Sequence, residues 1–212
     1  MLIETKVESP VSLSYFASRR AVGWIALGLP FALAIPVALR LHELKSSISS
    51  YYYTPGAETL FVGSLCAISV FMLTARGYDS KDEMAGMFSA LCALGVAFFP
   101  TSPDWCKGCT ATLHYTFAAM LFSTLAYFCL VLFKMKAKDR PTTPEKKQRN
   151  QVYTVSGVVI LVSMVLIGLS KIFNVQYVVC KSLHPTFLFE STALIAFGIA
   201  WLVKGEAFLK DT

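Results

Sequence analysis

Apolar residues gather into six long runs, at about 21–41, 58–75, 84–99, 111–133, 152–173 and 186–203, with short polar stretches between them. A helix that crosses a bilayer core needs roughly 20 predominantly apolar residues. The pattern therefore predicts an all-α protein, a bundle of six membrane-spanning helices forming a single membrane domain over 1–212. Pro30 and Pro36 lie inside the first run. Proline removes a backbone donor and kinks a helix, and membrane helices tolerate it where neighbours satisfy the freed carbonyl. A bent first helix is expected. Residues 1–18 are polar and mixed, without the form of a signal peptide. Residues 77–83 predict a short polar turn, and Arg76-Gly77-Tyr78-Asp79 a tight turn in which Arg76 and Asp79 are placed to pair. The stretch 134–149, with seven basic residues and two prolines, predicts a solvated loop.

Charge adds an orientation. When alternate loops are assigned to opposite sides, 14 of the 19 Lys and Arg residues fall on one side. The other side receives only Arg40, Lys45, Lys107, Lys171 and Lys181. Short cytoplasmic loops carry the excess of Lys and Arg. Both termini are thus expected in the cytoplasm, and the protein in a bacterial inner membrane or its equivalent. The net charge of +6 does not imply a nucleic-acid partner, because the excess is sorted to one side. A single-strand binder would interleave aromatic residues with its charges, and 134–149 holds no aromatic beyond its edge.

Candidate chemistry collects on the Lys/Arg-poor side. The segment after the first run contains Ser46, Ser47, Ser49 and Ser50, then Tyr51, Tyr52 and Tyr53, then Pro55-Gly56. An interfacial aromatic belt accounts for the tyrosines; the alternative is a re-entrant segment closing over a polar cavity. Glu190 sits about two turns into the sixth run. A carboxylate at membrane depth is costly and marks a functional or packing site with a partner. Protonation, pairing with Lys171, binding of a cation, or an interhelical hydrogen bond would each satisfy it. His42, His114 and His184 come from three different helix ends at similar depth. Three imidazoles with Glu190 would suit zinc and leave a position for water, although no two histidines have a local ligand spacing. Cys106 and Cys109 form a CxxC, and Cys180 is a third outer cysteine. On an oxidising side these read as a structural disulfide or as a redox-active pair. Cys66, Cys92 and Cys129 lie within apolar runs and read as small buried hydrophobes.

Ile48-Ser49-Ser50-Tyr51, then Pro55, then Leu60-Phe61-Val62-Gly63, resemble the first outer loop and second-helix start of six-helix DRAM/Sfk-type membrane proteins and their bacterial relatives. Phe99-Pro100-Thr101 and Leu113-His114-Tyr115 are similar to the bacterial branch. The resemblance covers the layout of about the first 130 residues. It implies a six-helix fold and, for the eukaryotic members, a link to lipid homeostasis. It implies no catalytic residues, and the CxxC is not part of the shared pattern.

The resulting expectation is an outward-facing polar cavity that handles a lipid or small molecule, lined by His114, Tyr115, Glu190, Ser49 and Tyr51. The alternatives are a metal-dependent hydrolase built on His42, His114 and His184, a thiol-disulfide oxidoreductase built on Cys106 and Cys109, and a non-enzymatic scaffold. Membrane lipids are the expected partners, and a homo-oligomer is compatible with the pattern.

Overall fold

The computed structural model describes residues 10–42, 44–74, 80–103, 111–135, 143–173 and 184–210. Among the described residues six helices follow in order: α1 (Pro10–Leu41), α2 (Ala57–Thr74), α3 (Ser80–Phe98), α4 (Thr112–Leu130), α5 (Pro144–Ile172) and α6 (Pro185–Lys204). Single 3-10 turns occupy Ser49–Tyr53 and Leu132–Lys134, and the described residues contain no strand. Among the described residues five helices are long and apolar enough to cross a membrane: α1, α2, α4 with its 3-10 extension, α5 and α6. The other, α3, starts on Lys81, Asp82 and Glu83 and falls short of that composition.

The helices extend past the apolar runs. Thr143 caps α5, its hydroxyl accepting the Lys146 amide at 3.1 Å, and Pro144 takes the first helical position. Proline is preorganised there, where its missing N–H is not needed. Residues 144–149 are therefore helix, not the solvated loop expected from their charge. Likewise α1 begins at Pro10 and α3 at Ser80, ahead of their apolar runs. α1 stays helical through Pro30 and Pro36. The Arg76–Asp79 turn lies outside the described residues.

The bundle is a ring in chain order. Each helix packs on its sequence neighbours, and α6 closes the ring on α1. Small residues set that last contact. A Cβ added at Gly198 would lie 2.8 Å from the Gly23 carbonyl oxygen and from the Leu27 amide nitrogen, so the two backbones touch. Close approach through small residues is how membrane helices gain packing without a hydrophobic drive between them. α5 shows the inverted pattern of a lipid-facing helix. It buries Ser156, Gly157, Ser163 and Ser170 and exposes Val155, Val158, Val162 and Val165.

Basic side chains close one end of the ring. Arg20 Nε donates to the Gly205 carbonyl at 2.7 Å, Arg149 Nη1 to Leu209 at 3.1 Å, and Lys146 Nζ to Phe133 at 3.1 Å. These carbonyls follow the last turns of α4 and α6, where intrahelical partners run out. Beneath them Phe133, Tyr153, Phe128, Phe197 and Trp201 form an aromatic cluster, with ring centroids 5.3–5.8 Å apart between neighbours. The segment 44–56 and the start of α6 lie at the opposite end.

Candidate functional site

The Ser46–Tyr53 segment folds back onto α6. The Phe187 amide donates to the Ser46 carbonyl at 3.1 Å, and the Ile48 amide donates to Glu190 Oε2 at 2.6 Å. The Glu190 carboxylate also faces the Ser49 amide. These N–H groups open the Ser49–Tyr53 turn, where donors have no partner within the turn itself. Glu190 therefore holds the segment in place as well as lining what lies beneath it.

Beneath it is a cavity of about 240 Å³. Ser46, Ser47, Ser49 and Ser50 form one wall, and Thr186 and Glu190 of α6 a second. Ser170 and Lys171 come from the end of α5, Tyr115 from α4, and Thr101 and Ser102 from the α3–α4 connection. Every one of these residues carries a polar group. Among them Glu190 is the one acid and Lys171 the one cation. Lys171 Nζ sits 3.5 Å from the centroid of the Tyr115 ring, within cation–π reach. The Tyr115 hydroxyl accepts from Thr101 Oγ1 at 3.3 Å, and Tyr53 donates to the Thr101 carbonyl at 2.5 Å.

His114 stands behind Ser49 and is 2% exposed, so both of its ring nitrogens need protein partners. Nδ1 lies 2.8 Å from the Phe99 carbonyl oxygen and Nε2 2.9 Å from Ser49 Oγ. A carbonyl can only accept, so Nδ1 carries the proton. In the neutral ring Nε2 is then the acceptor and the Ser49 hydroxyl the donor. The other serines are engaged among themselves: Ser50 Oγ is 2.7 Å from Ser47 Oγ and 3.0 Å from Ser46 Oγ.

Ser49, Tyr115 and Glu190 thus share one cavity, with His114 one hydrogen bond behind it. Tyr51 does not line it. Its ring is fully buried against Phe187, and its hydroxyl accepts the Lys45 amide at 3.4 Å. Burial pushes the Tyr51 phenol above its ordinary pKa, against a smaller opposing pull from Lys45. A belt residue would stand at the lipid surface, so Tyr51 is a core residue instead.

The histidines do not form the expected zinc site. Among the described residues no three His, Cys, Asp or Glu side chains are grouped to hold a metal. His42 is exposed at the end of α1, and His184 precedes the first turn of α6 without capping it. His114 has committed both nitrogens elsewhere, and Glu190 bonds to backbone. Cys106, Cys109 and Cys180 lie outside the described residues. Cys92 and Cys129 are buried free thiols, and Cys66 is a half-buried one.

Residues that the sequence did not offer as site candidates complete the cavity, chiefly Ser170 and Thr186, with Thr101, which the sequence marked only within the Phe99-Pro100-Thr101 resemblance. Each lies beside a proline or a lysine at the end of an apolar run, which is the signal they offered. A second, more apolar cavity of about 410 Å³ lies between α1 and α2, with Pro36, Leu41, Pro55 and Leu60 on its walls. No family model, curated protein or solved structure matches the chain.

Proposed function

We propose that this chain is a multi-pass membrane protein that binds the polar headgroup of a lipid, or a small molecule of like chemistry, at the Lys/Arg-poor end of the ring. In this reading all six helices span, α3 included, because it packs between α2 and α4 in the ring. The charged first turn of α3 then lies at the basic interface. The positive-inside rule puts that end, with both termini, in the cytoplasm. The layout resemblance to DRAM/Sfk-type proteins agrees with this arrangement.

The observation that carries the proposal is a cavity whose described lining residues all carry a polar group, with Glu190 the acid and Lys171 the cation among them. Such groups are expensive in lipid and are retained where they meet a ligand or one another. Opposite charges flanked by hydroxyls complement a zwitterion: Lys171 for a phosphate, Glu190 for an ammonium or hydroxyl group. Dihexanoyl phosphatidylethanolamine added to the purified chain in detergent should raise its unfolding temperature in a saturable way. Lys171→Ala and Glu190→Gln should each weaken that response at least about tenfold, the equivalent of 1.4 kcal/mol. A response equal in wild type and both variants, or no response to any headgroup, would refute the reading. Orientation is tested separately with a green fluorescent protein fused after Thr212, which should fluoresce, and alkaline phosphatase at the same place, which should be silent.

A further inference from the structure

We propose that Ser49 and His114 form a nucleophile–base pair that cleaves a carboxylic ester held in the polar cavity. The proposal rests on the cavity being a ligand site. An activated serine needs a base within hydrogen-bond reach and a third group that orients the base. Ser49 Oγ lies 2.9 Å from His114 Nε2, and the Phe99 carbonyl lies 2.8 Å from Nδ1. The orienting carbonyl fixes the tautomer, which leaves Nε2 free to take the serine proton. Ser49 lines the cavity, whereas His114 is shut off behind it. Ser49 is directed at the His114 imidazole, whereas Ser47 and Ser50 bond one another.

The step balances with an ester and water as the co-reactants. Ser49 Oγ bonds to the ester carbonyl carbon, and its proton passes to His114 Nε2. The bond from that carbon to the alcohol oxygen breaks, and His114 returns the proton to the departing oxygen. Water then attacks the acyl-serine, again through His114, releasing the carboxylic acid and restoring Ser49. Lys171 and the Tyr115 hydroxyl supply donors on the cavity wall for the oxyanion. Glu190 is a positioning residue, because it holds the Ile48 and Ser49 amides and through them the serine. A backbone carbonyl orients the imidazole but carries no full charge to offset an imidazolium. Acylation by an activated probe is therefore a better readout than turnover.

The experiment uses the full chain in detergent and a fluorophosphonate probe, with intact-mass and peptide-mass detection. The expected result is one adduct on the peptide containing Ser49, absent in Ser49→Ala. His114→Gln should slow labelling by about 100-fold or more, the usual contribution of a general base. A Ser49→Cys variant separates chemistry from folding. Its alkylation rate should follow a pH profile with an ionisation that disappears in Ser49→Cys with His114→Gln. No adduct on a chain that still responds to dihexanoyl phosphatidylethanolamine would overturn the pair and leave the cavity reading standing. No adduct and no lipid response would overturn both. Labelling of Ser49 at the same rate with and without His114, or labelling of a different serine, would also overturn the proposal.

Discussion

Replacing Glu190 sets two physical effects against each other. A buried carboxylate carries a desolvation cost, and exchanging buried charges for apolar groups is often neutral or stabilising by about 1–4 kcal/mol when the whole pair is replaced. At Glu190 only the acceptor would be removed. The Ile48 amide, which reaches Oε2 at 2.6 Å, and the Ser49 amide would both remain. A buried donor left without a partner costs about 1–3 kcal/mol. The Ile48 amide is the one hydrogen-bonded to the carboxylate and the Ser49 amide interacts more weakly, so the loss is about 2–3 kcal/mol. The orphaned amides therefore outweigh the relieved desolvation, and Glu190→Ala should destabilise. For a chain of this size the loss corresponds to a fall of about 4–12 °C in unfolding temperature. Glu190→Gln keeps an acceptor oxygen and loses only the charge assistance, so about 1 kcal/mol. The assay is thermal unfolding in detergent, followed by alkylation of Cys92 and Cys129, which are buried in the folded chain. An Ala variant as stable as wild type or more so, or a Gln variant less stable than Ala, would show that Glu190 does not act as the acceptor for the segment.

Three further outcomes are expected. Gly198→Val places a branched side chain against the Gly23 carbonyl and the Leu27 amide. Backbone cannot give way as a side chain does, so overpacking should cost about 3 kcal/mol or more, seen as loss of the folded, monodisperse fraction. Gly95→Ala drives a methyl into the Phe117 ring, which stacks on Phe99 with centroids 5.6 Å apart. Because the Phe99 carbonyl holds His114, this variant should slow fluorophosphonate labelling while its lipid response changes little; unchanged labelling would separate Phe99 from the pair. Tyr51 gives a pH dependence. Its folded pKa lies above the ordinary value of 10.0. Its contribution to stability is therefore complete below that value and is lost as pH rises through the folded pKa. Unfolding temperature should fall at alkaline pH, and Tyr51→Phe should flatten that limb; an identical limb in the variant would exclude Tyr51 as its cause.

The six helices were legible because apolar runs report bilayer thickness, but their ends were not. Residues 144–149 are too charged to count as a span, yet they form the first turns of α5 because Thr143 caps them and Pro144 starts them. The Thr-Pro-Glu signal was present, and the density of charge concealed it. The lysines and arginines that sort to one side also turned out to satisfy helix-terminal carbonyls, as Arg20 does for Gly205. That role follows from chain reversal at the end of the ring and cannot be counted from composition.

The site shows where sequence reading stops. Apolar runs fix how deep a residue lies, and depth is one coordinate of three. His42, His114 and His184 lie at the same end of their apolar runs but stand just after α1, on α4 and just before α6, and the ring keeps α1 and α4 on opposite sides. The same limitation hid the pairing that does exist. Ser49 is 65 residues from His114, and Glu190 is 142 residues from Ile48. Those contacts depend on the segment after α1 folding inward across the ring, which the serines permit by bonding one another and Glu190 enforces by capping the turn. The acid that looked like a buried ligand group is thus also the anchor of the wall. Changing it alters the cavity's shape and charge together, whereas Lys171 is exposed and makes a ring contact with Tyr115, so its replacement changes mainly charge. Comparing the two variants therefore separates recognition of a headgroup from maintenance of the cavity. If Lys171→Ala abolishes the lipid response without lowering the unfolding temperature, the cavity recognises phosphate. If only Glu190 variants act, and act in proportion to lost stability, the polar wall serves the fold alone.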